Sequence, residues 1–192
     1  MKKIILFSLI FVGFQIPNKL NAQSIFPDIK INDNYLKIDE VSFLQMAEKI
    51  SFYNLELNKE ETITYLNQLK NSDSELYVPF DIDGRLDWRA NFILGDGTNR
   101  FDAVKYEYGK ILCDTFNDVT DDIKFSIEEC DYKVVEGKVY KYLEVETKIY
   151  SEFQDKLLIG KQFLLEYRGK RYFIISKTLT SSTELNQLIN LN

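Results

Sequence analysis

The side chains available for chemistry in this chain are carboxylates, tyrosines and one pair of cysteines, because none of its 192 residues is histidine. A Ser-His-Asp or Cys-His catalytic arrangement therefore cannot be built. Histidine-ligated zinc, haem and non-haem iron sites are excluded for the same reason. Two cysteines are too few for a Cys-rich metal centre, and no Gly-rich phosphate loop occurs. Catalytic residues are left unassigned, and neither a cofactor nor a metal is expected.

Three carboxylate groupings remain. Asp81-Ile82-Asp83-Gly84-Arg85 has the alternating acids and glycine that open a calcium loop. It supplies too few ligands and lacks a closing glutamate, so an Asp-Gly turn is the simpler reading. Asn117-Asp118 with Asp121-Asp122 could gather calcium in a loop between two strands, but is read as solvated loop. Glu128, Glu144, Glu146, Glu152 and Glu166 could provide an acid and nucleophile pair on neighbouring strands. Any acidic sheet offers such pairs, and no cleft signature accompanies them.

Aromatic residues are the other resource, with twelve Tyr, fourteen Phe and one Trp. Tyr140, Tyr142 and Tyr150 share one side of a predicted strand. A tyrosine combines contact area with a hydrogen-bonding tip, which suits a recognition surface. The competing reading is that a helix or loop covers that side and makes the rings core.

The elements that must position these residues are clearest from Ile123 to Thr178, which reads as a four-strand antiparallel meander. Ile123 to Glu128 alternates with period two. After Glu136-Gly137-Lys138, Val139, Leu143, Val145 and Ile149 form the expected core face, opposite Tyr140, Tyr142, Glu144, Glu146, Lys148 and Tyr150. In a third run Leu157, Ile159, Phe163, Leu165 and Tyr167 alternate with residues that are themselves partly apolar. A hairpin at Arg168-Gly169-Lys170-Arg171 leads to a fourth strand, Tyr172 to Thr178.

Upstream, Asp39 is a predicted N-cap for an amphipathic helix over about residues 40–50. A second helix starts after Asn58 and runs to Lys70. Glu75 to Phe80 reads as a strand with Pro79 at an edge or near its end. Leu86 to Leu94 reads as a strand on its even apolar positions, and Gly95 to Asn99 as a turn. For Arg100 to Phe116 a strand hairpin is favoured over a helix, because Gly109 would cost a helix about 1 kcal/mol relative to Ala. Ser181 to Glu184 introduces a short closing helix.

The expected fold is α+β: two N-terminal helices packed on a curved antiparallel sheet, with a C-terminal four-strand meander and a short closing helix. In architecture alone this is similar to cone-shaped folds of the nuclear-transport-factor-like kind, a likeness that carries over no residue.

Residues 1–22 have the layout of a cleaved signal peptide, with Lys2-Lys3, an apolar run from Ile4 to Phe14, Pro17, and Ala22 before the cut. The apolar run falls short of the roughly 20 residues needed to span a bilayer. No cysteine stands at the cut to carry a lipid. Residues 23–34 are expected as an extended lead-in and 35–192 as a single domain.

Cleavage removes Lys2, Lys3 and Lys19 from 24 basic residues and none of the 30 acidic ones, leaving a net charge of −9. An acidic surface without basic clusters disfavours nucleic acid, and the mature chain is expected to have no membrane span. In an oxidising compartment Cys113 and Cys130 are expected to pair, which chain-entropy arguments value at about 3 kcal/mol. The alternative is two buried free thiols.

The functional expectation is an exported, non-enzymatic binding or inhibitory module, periplasmic or extracellular, using Tyr140, Tyr142 and Tyr150 on a protein or small ligand. The alternatives are a small-ligand carrier or carboxylate-dependent hydrolase with a pocket, and a structural part of an envelope assembly. Mass spectrometry of protein from its native host is expected to show Gln23 as the first residue, and a retained Met1 to Ala22 would overturn the export argument.

Overall fold

A computed structural model describes residues 24–50, 59–87, 90–98, 106–119, 125–151, 156–178 and 183–191. The strands are β1 (Lys30–Ile31), β2 (Tyr35–Ile38), β3 (Ser74–Pro79), β4 (Asn91–Asp96), β5 (Phe125–Glu136), β6 (Tyr140–Ser151), β7 (Lys156–Tyr167), β8 (Lys170–Thr178) and β9 (Ile189–Asn190). The helices are α1 (Glu40–Ile50), α2 (Lys59–Asn71), α3 (Tyr106–Val119) and α4 (Leu185–Leu188). Seven strands form one antiparallel sheet in the order β2-β3-β4-β8-β7-β6-β5, while β1 and β9 pair separately.

The molecule is mostly β, which overturns the α+β expectation and the nuclear-transport-factor-like shape with it. Two of the strands, β1 and β2, precede the helices, and β2, β3 and β4 extend the meander into one continuous sheet. α1 and α2 form where expected, but their described residues pack at one end of that sheet. Their Phe43, Leu66, Ile63 and Leu69 pack with Leu36, Ile38, Leu76 and Val78 of β2 and β3. Asp39 caps α1, its Oδ1 accepting from the Ser42 amide at 2.7 Å and the Ser42 hydroxyl at 2.6 Å.

The meander β5-β6-β7-β8 is present, with β7 and β8 joined by Arg168-Gly169. Both of those residues have positive φ, 51° and 78°, the two-residue turn whose twist matches the strands. Along β5 the apolar pattern changes from odd (Ile127) to even (Cys130, Tyr132, Val134). The register shifts between Ile127 and Glu129, so positions 127, 130, 132 and 134 all pair with odd positions of β6. One inserted residue thus corrects a parity change that would otherwise turn half the strand over.

Arg100 to Phe116 is the second correction. From Tyr106 onward it is helix α3, and not a strand hairpin. α3 packs on β5 and β6 through Tyr108, Leu112 and Cys113 against Tyr132, Leu143 and Val145. Gly109 stands where a Cβ would come within 2.3 Å of the Tyr132 ring. The glycine is therefore a packing residue: its helix penalty of about 1 kcal/mol permits the close approach on which this contact depends. Cys113 and Cys130 are bonded across the same interface, with Cα atoms 5.7 Å apart.

Strand β4 starts at Asn91, later than expected, and Gly95-Asp96 continues it where a turn was expected. Leu86 makes only an isolated bridge to Phe80, and Trp88 and Arg89 lie outside the described residues. β3 ends on Pro79 but lies inside the sheet between β2 and β4.

The sheet's other face is covered by the two ends of the described chain, residues 24–32 and 183–191. Residues 24–32, expected as a lead-in, bring Phe26 and Ile29 into a cluster with Leu185, Leu188 and Ile189. Beneath them lie Tyr77, Phe92, Leu94, Phe163, Leu165, Tyr172 and Ile174. Among the described residues no helix is long and apolar enough to cross a membrane.

Gly109→Ala is expected to destabilise by about 1–3 kcal/mol, the overpacking range, although the same change in an open helix stabilises. In a Tyr132→Gly background, which removes the ring together with the Cβ that would lie 2.7 Å away, the sign should reverse; a stabilising effect in both backgrounds, measured by chemical denaturation, would refute the close-packing argument. Thiol titration of the unfolded, unreduced protein should find no free cysteine.

Candidate functional site

β6 places Tyr140 and Tyr142 on the face covered by the chain ends, where both rings are half-buried. Their centroids lie 6.0 Å apart at an interplanar angle of 23°, and Tyr142 meets Phe163 edge-on at 5.9 Å. Beside them runs the C-terminal segment. Glu184 caps α4 in a capping box with Gln187, and Leu185 and Leu188 anchor that short helix in the core. Asn32 ties the N-terminal segment to it, its Nδ2 donating to the Asn186 carbonyl at 2.9 Å.

Between these parts lies a groove of about 400 Å³ lined by residues that include Tyr140, Tyr142, Asn32, Glu184, Asn186 and Leu191. Tyr150 is on the same strand face but eight residues beyond Tyr142, roughly 26 Å at strand rise, and does not line it. Of the three tyrosines singled out in the sequence, two come together in the groove and one stands apart.

Next to the groove is a buried charge cluster. Lys161 on β7 donates to Glu144 Oε1 at 2.6 Å, with both side chains less than 5% exposed. Glu146 and Glu184 each approach the same ammonium at 3.3 Å. Lys133, directly opposite Glu144 in the register, reaches it at 3.3 Å from a more exposed position. Glu144 Oε2 is buried and, among the described residues, accepts no hydrogen bond.

Burial works to lower the Lys161 pKa, but the Glu144 hydrogen bond and charge, with Glu184 and Glu146, outweigh it, and the pKa is raised. Tyr142 is also raised, first by burial and then by the charges of Glu144 and Glu184, with Lys161 acting the other way.

A second buried carboxylate holds the other chain end. Glu75 on β3 accepts from Lys37 at 2.5 Å, from the Ser24 and Tyr77 hydroxyls at 2.7 Å each, and from the Ile25 amide at 2.9 Å. Burial alone would raise the Glu75 pKa, but these four donors hold it below the ordinary carboxylate value. The same burial, with the adjoining Glu75 charge, pushes Tyr77 far up.

The remaining sequence candidates do not converge. Asp81 Oδ1 accepts from the amides of Asp83 and Arg85 at 2.9 and 2.7 Å, which is turn chemistry. Asn117 and Asp118 belong to α3, contrary to the loop expected there, and Asp121 and Asp122 lie outside the described residues. Glu144 and Glu146 share one ammonium, Glu166 lies 3.5 Å from Arg171, Glu128 is exposed, and Glu152 is outside the described residues.

Lys161, Glu184, Asn32 and Asn186 were not singled out from the sequence. Lys161 left a signal: it interrupts the otherwise apolar series Ile159, Phe163, Leu165, Tyr167, and a lysine in such a stripe calls for a buried partner. The other three are brought to the groove only by the packing of the chain ends.

The chain matches no known protein family, and no curated protein matches it. The disulfide is compatible with an oxidising, exported location.

Lys161→Met should cost about 3–5 kcal/mol by leaving Glu144 buried without its ammonium, and adding Glu144→Leu should recover most of the loss. A single mutant as stable as wild type would contradict the buried-pair assignment. Because the Glu75 pKa is depressed on folding, its contribution is full above its ordinary value and is lost as pH falls through the lowered one. Glu75→Gln should therefore flatten the acid limb of the stability profile.

Proposed function

We propose that the mature chain is an exported, non-enzymatic binding or inhibitory module, acting in the periplasm or outside the cell, which takes its partner in the groove beside Tyr140 and Tyr142. The observation that carries this reading is the stacked, half-buried tyrosine pair forming one wall of a groove of about 400 Å³. Rings held in this way offer apolar contact area at little further entropic cost, because their rotamers are already restricted by packing. The amides of Asn32 and Asn186 and the carboxylate of Glu184 supply polar tips around that wall. Binding needs only these features.

A proton-transfer catalyst near neutral pH would need a group that titrates there, and histidine, the usual one, is missing. Export is read from the signal-peptide layout of residues 1–22, with which a disulfide agrees. Tyr150 is left out of the site because of its distance from the groove.

Tyr140→Ala and Tyr142→Ala are expected to lower partner capture from the native envelope by about tenfold or more, the scale of a hot-spot aromatic. Thermal stability measured on the same samples separates the two roles of the rings. Lost stability with unchanged capture would make them core only and overturn the assignment.

A further inference from the structure

We infer that a second copy of this chain docks on the outer edge of β5, extending the antiparallel sheet across a two-fold axis at Tyr132. The inference goes beyond the groove reading and does not rest on it.

The two edges of the sheet are finished differently. β2, four residues long, has Leu36 and Ile38 buried with side chains of α1 and α2. β5 is twelve residues long, and among the described residues no strand pairs with its outer side. Its inward apolar residues Cys130, Tyr132 and Val134 belong to the cluster beneath α3 yet stay only half-buried. A long edge with part-covered apolar residues is a template for one more strand.

The charges identify which strand. On the other face, Lys161 of β7 lies opposite Glu146 of β6, and Glu146 lies opposite Asp131 of β5. Lys161 meets Glu146 at 3.3 Å. In a single chain this row ends on two carboxylates in succession, and like charges directly opposite each other destabilise a strand pair. Asp131 also acts on Lys148, but that ammonium is already bonded to Glu129. A strand that adds a cation opposite Asp131 relieves the repulsion.

β5 itself carries that cation. A two-fold axis normal to the sheet keeps the two covered faces aligned only where a residue pairs with its own copy. Centred on Tyr132, the axis pairs Asp131 with Lys133 of the second copy, twice by symmetry, and Cys130 with Val134. Centring on Asp131 or Lys133 would set a charge against itself, and centring on Cys130 would set Glu129 against Asp131. The row then reads Lys161, Glu146, Asp131, followed by Lys133 and Glu144 of the second copy, with a cation beside every carboxylate. Lys133 can serve both neighbours, since it reaches Glu144 at 3.3 Å from a side chain 54% exposed.

Charges on an edge commonly block pairing, but mixed signs at this spacing instead select one register. The bulge at Glu128, which has no partner on β6, and Glu136, held by Lys141 at 2.7 Å, bound the pairing to residues 129–135. α3 leaves room for it: a helix seated over β5 and β6 meets its copy at two strand spacings, roughly 10 Å, the distance at which helices pack. Pairing over this length buries less than a standard interface, so the dimer is weak, with a Kd on the order of 100 μM.

The test follows the purified full chain by sedimentation velocity from about 1 μM to about 1 mM. A dimer should appear in the upper part of that range and weaken with added salt. Asp131→Lys makes both Asp131–Lys133 pairs repulsive while placing a cation opposite Glu146. It should stay folded by circular dichroism and weaken the dimer by about tenfold or more. Zero-length carbodiimide coupling of an equal mixture of unlabelled and isotope-labelled protein reads the register, and a mixed-label peptide joining Asp131 to Lys133 is expected.

A chain that stays monomeric to about 1 mM overturns the inference. So does a dimer unchanged by Asp131→Lys, or one whose mixed-label cross-links omit Asp131 and Lys133. Partner capture at Tyr140 and Tyr142 is a separate measurement, so none of these results decides the groove reading.

Discussion

A seven-stranded antiparallel sheet with inner strands covered on both sides is the constraint from which the rest follows. Leu143, Glu144 and Val145 are consecutive on β6 and all buried, so neither face is left to water there. A strand covered twice must place some of its polar residues out of solvent, and an isolated buried carboxylate is too costly to survive. Glu144 therefore requires Lys161, and Lys161, itself 3% exposed, draws in Glu146 and Glu184. The C-terminal segment is fastened by this cluster as well as by the apolar packing of Leu185, Leu188 and Ile189.

The two chain ends are held by similar means. At one end Glu75, paired with Lys37, accepts from Ser24 and from the Ile25 amide; at the other Lys161, paired with Glu144, reaches Glu184. In each case a charged pair inside the sheet gives an incoming segment a fixed polar contact beside an apolar one. The apolar contact supplies most of the stabilisation, while the charge fixes where along the sheet the segment sits, since a shifted segment would leave the pair incompletely satisfied. β1 and β9 then pair with each other, closing the two ends into one cover.

What was legible in the sequence follows the range of the interactions. Period-two alternation is local, and it located β6, β7 and β8 and the hairpin at Arg168-Gly169. Asp39 and the stripe of Leu66 gave α1 and α2 for the same reason. Gly109 misled because its helix penalty is a local quantity, whereas the Tyr132 contact that offsets it comes from another element. The fold class was misjudged because two clear amphipathic helices outweighed β2, β3 and β4, whose joining to the meander is long-range. Half of the candidate site was visible, in Tyr140 and Tyr142. The other half comes from the docking of residues 183–191 and 24–32, which no local pattern encodes.

The same docking explains why these two tyrosines are neither plainly core nor plainly surface. On an uncovered sheet they would lie open to solvent; under a complete cover they would be as buried as Phe163. α4 is only four residues long and is followed at once by β9, and among the described residues this cover leaves Tyr140 and Tyr142 half-buried beside it. Each ring has one side packed, against its neighbour or Phe163, and another facing the groove. Packing fixes the rings and the short cover leaves them accessible, and that combination lets a rigid aromatic wall bind without first being ordered by its ligand.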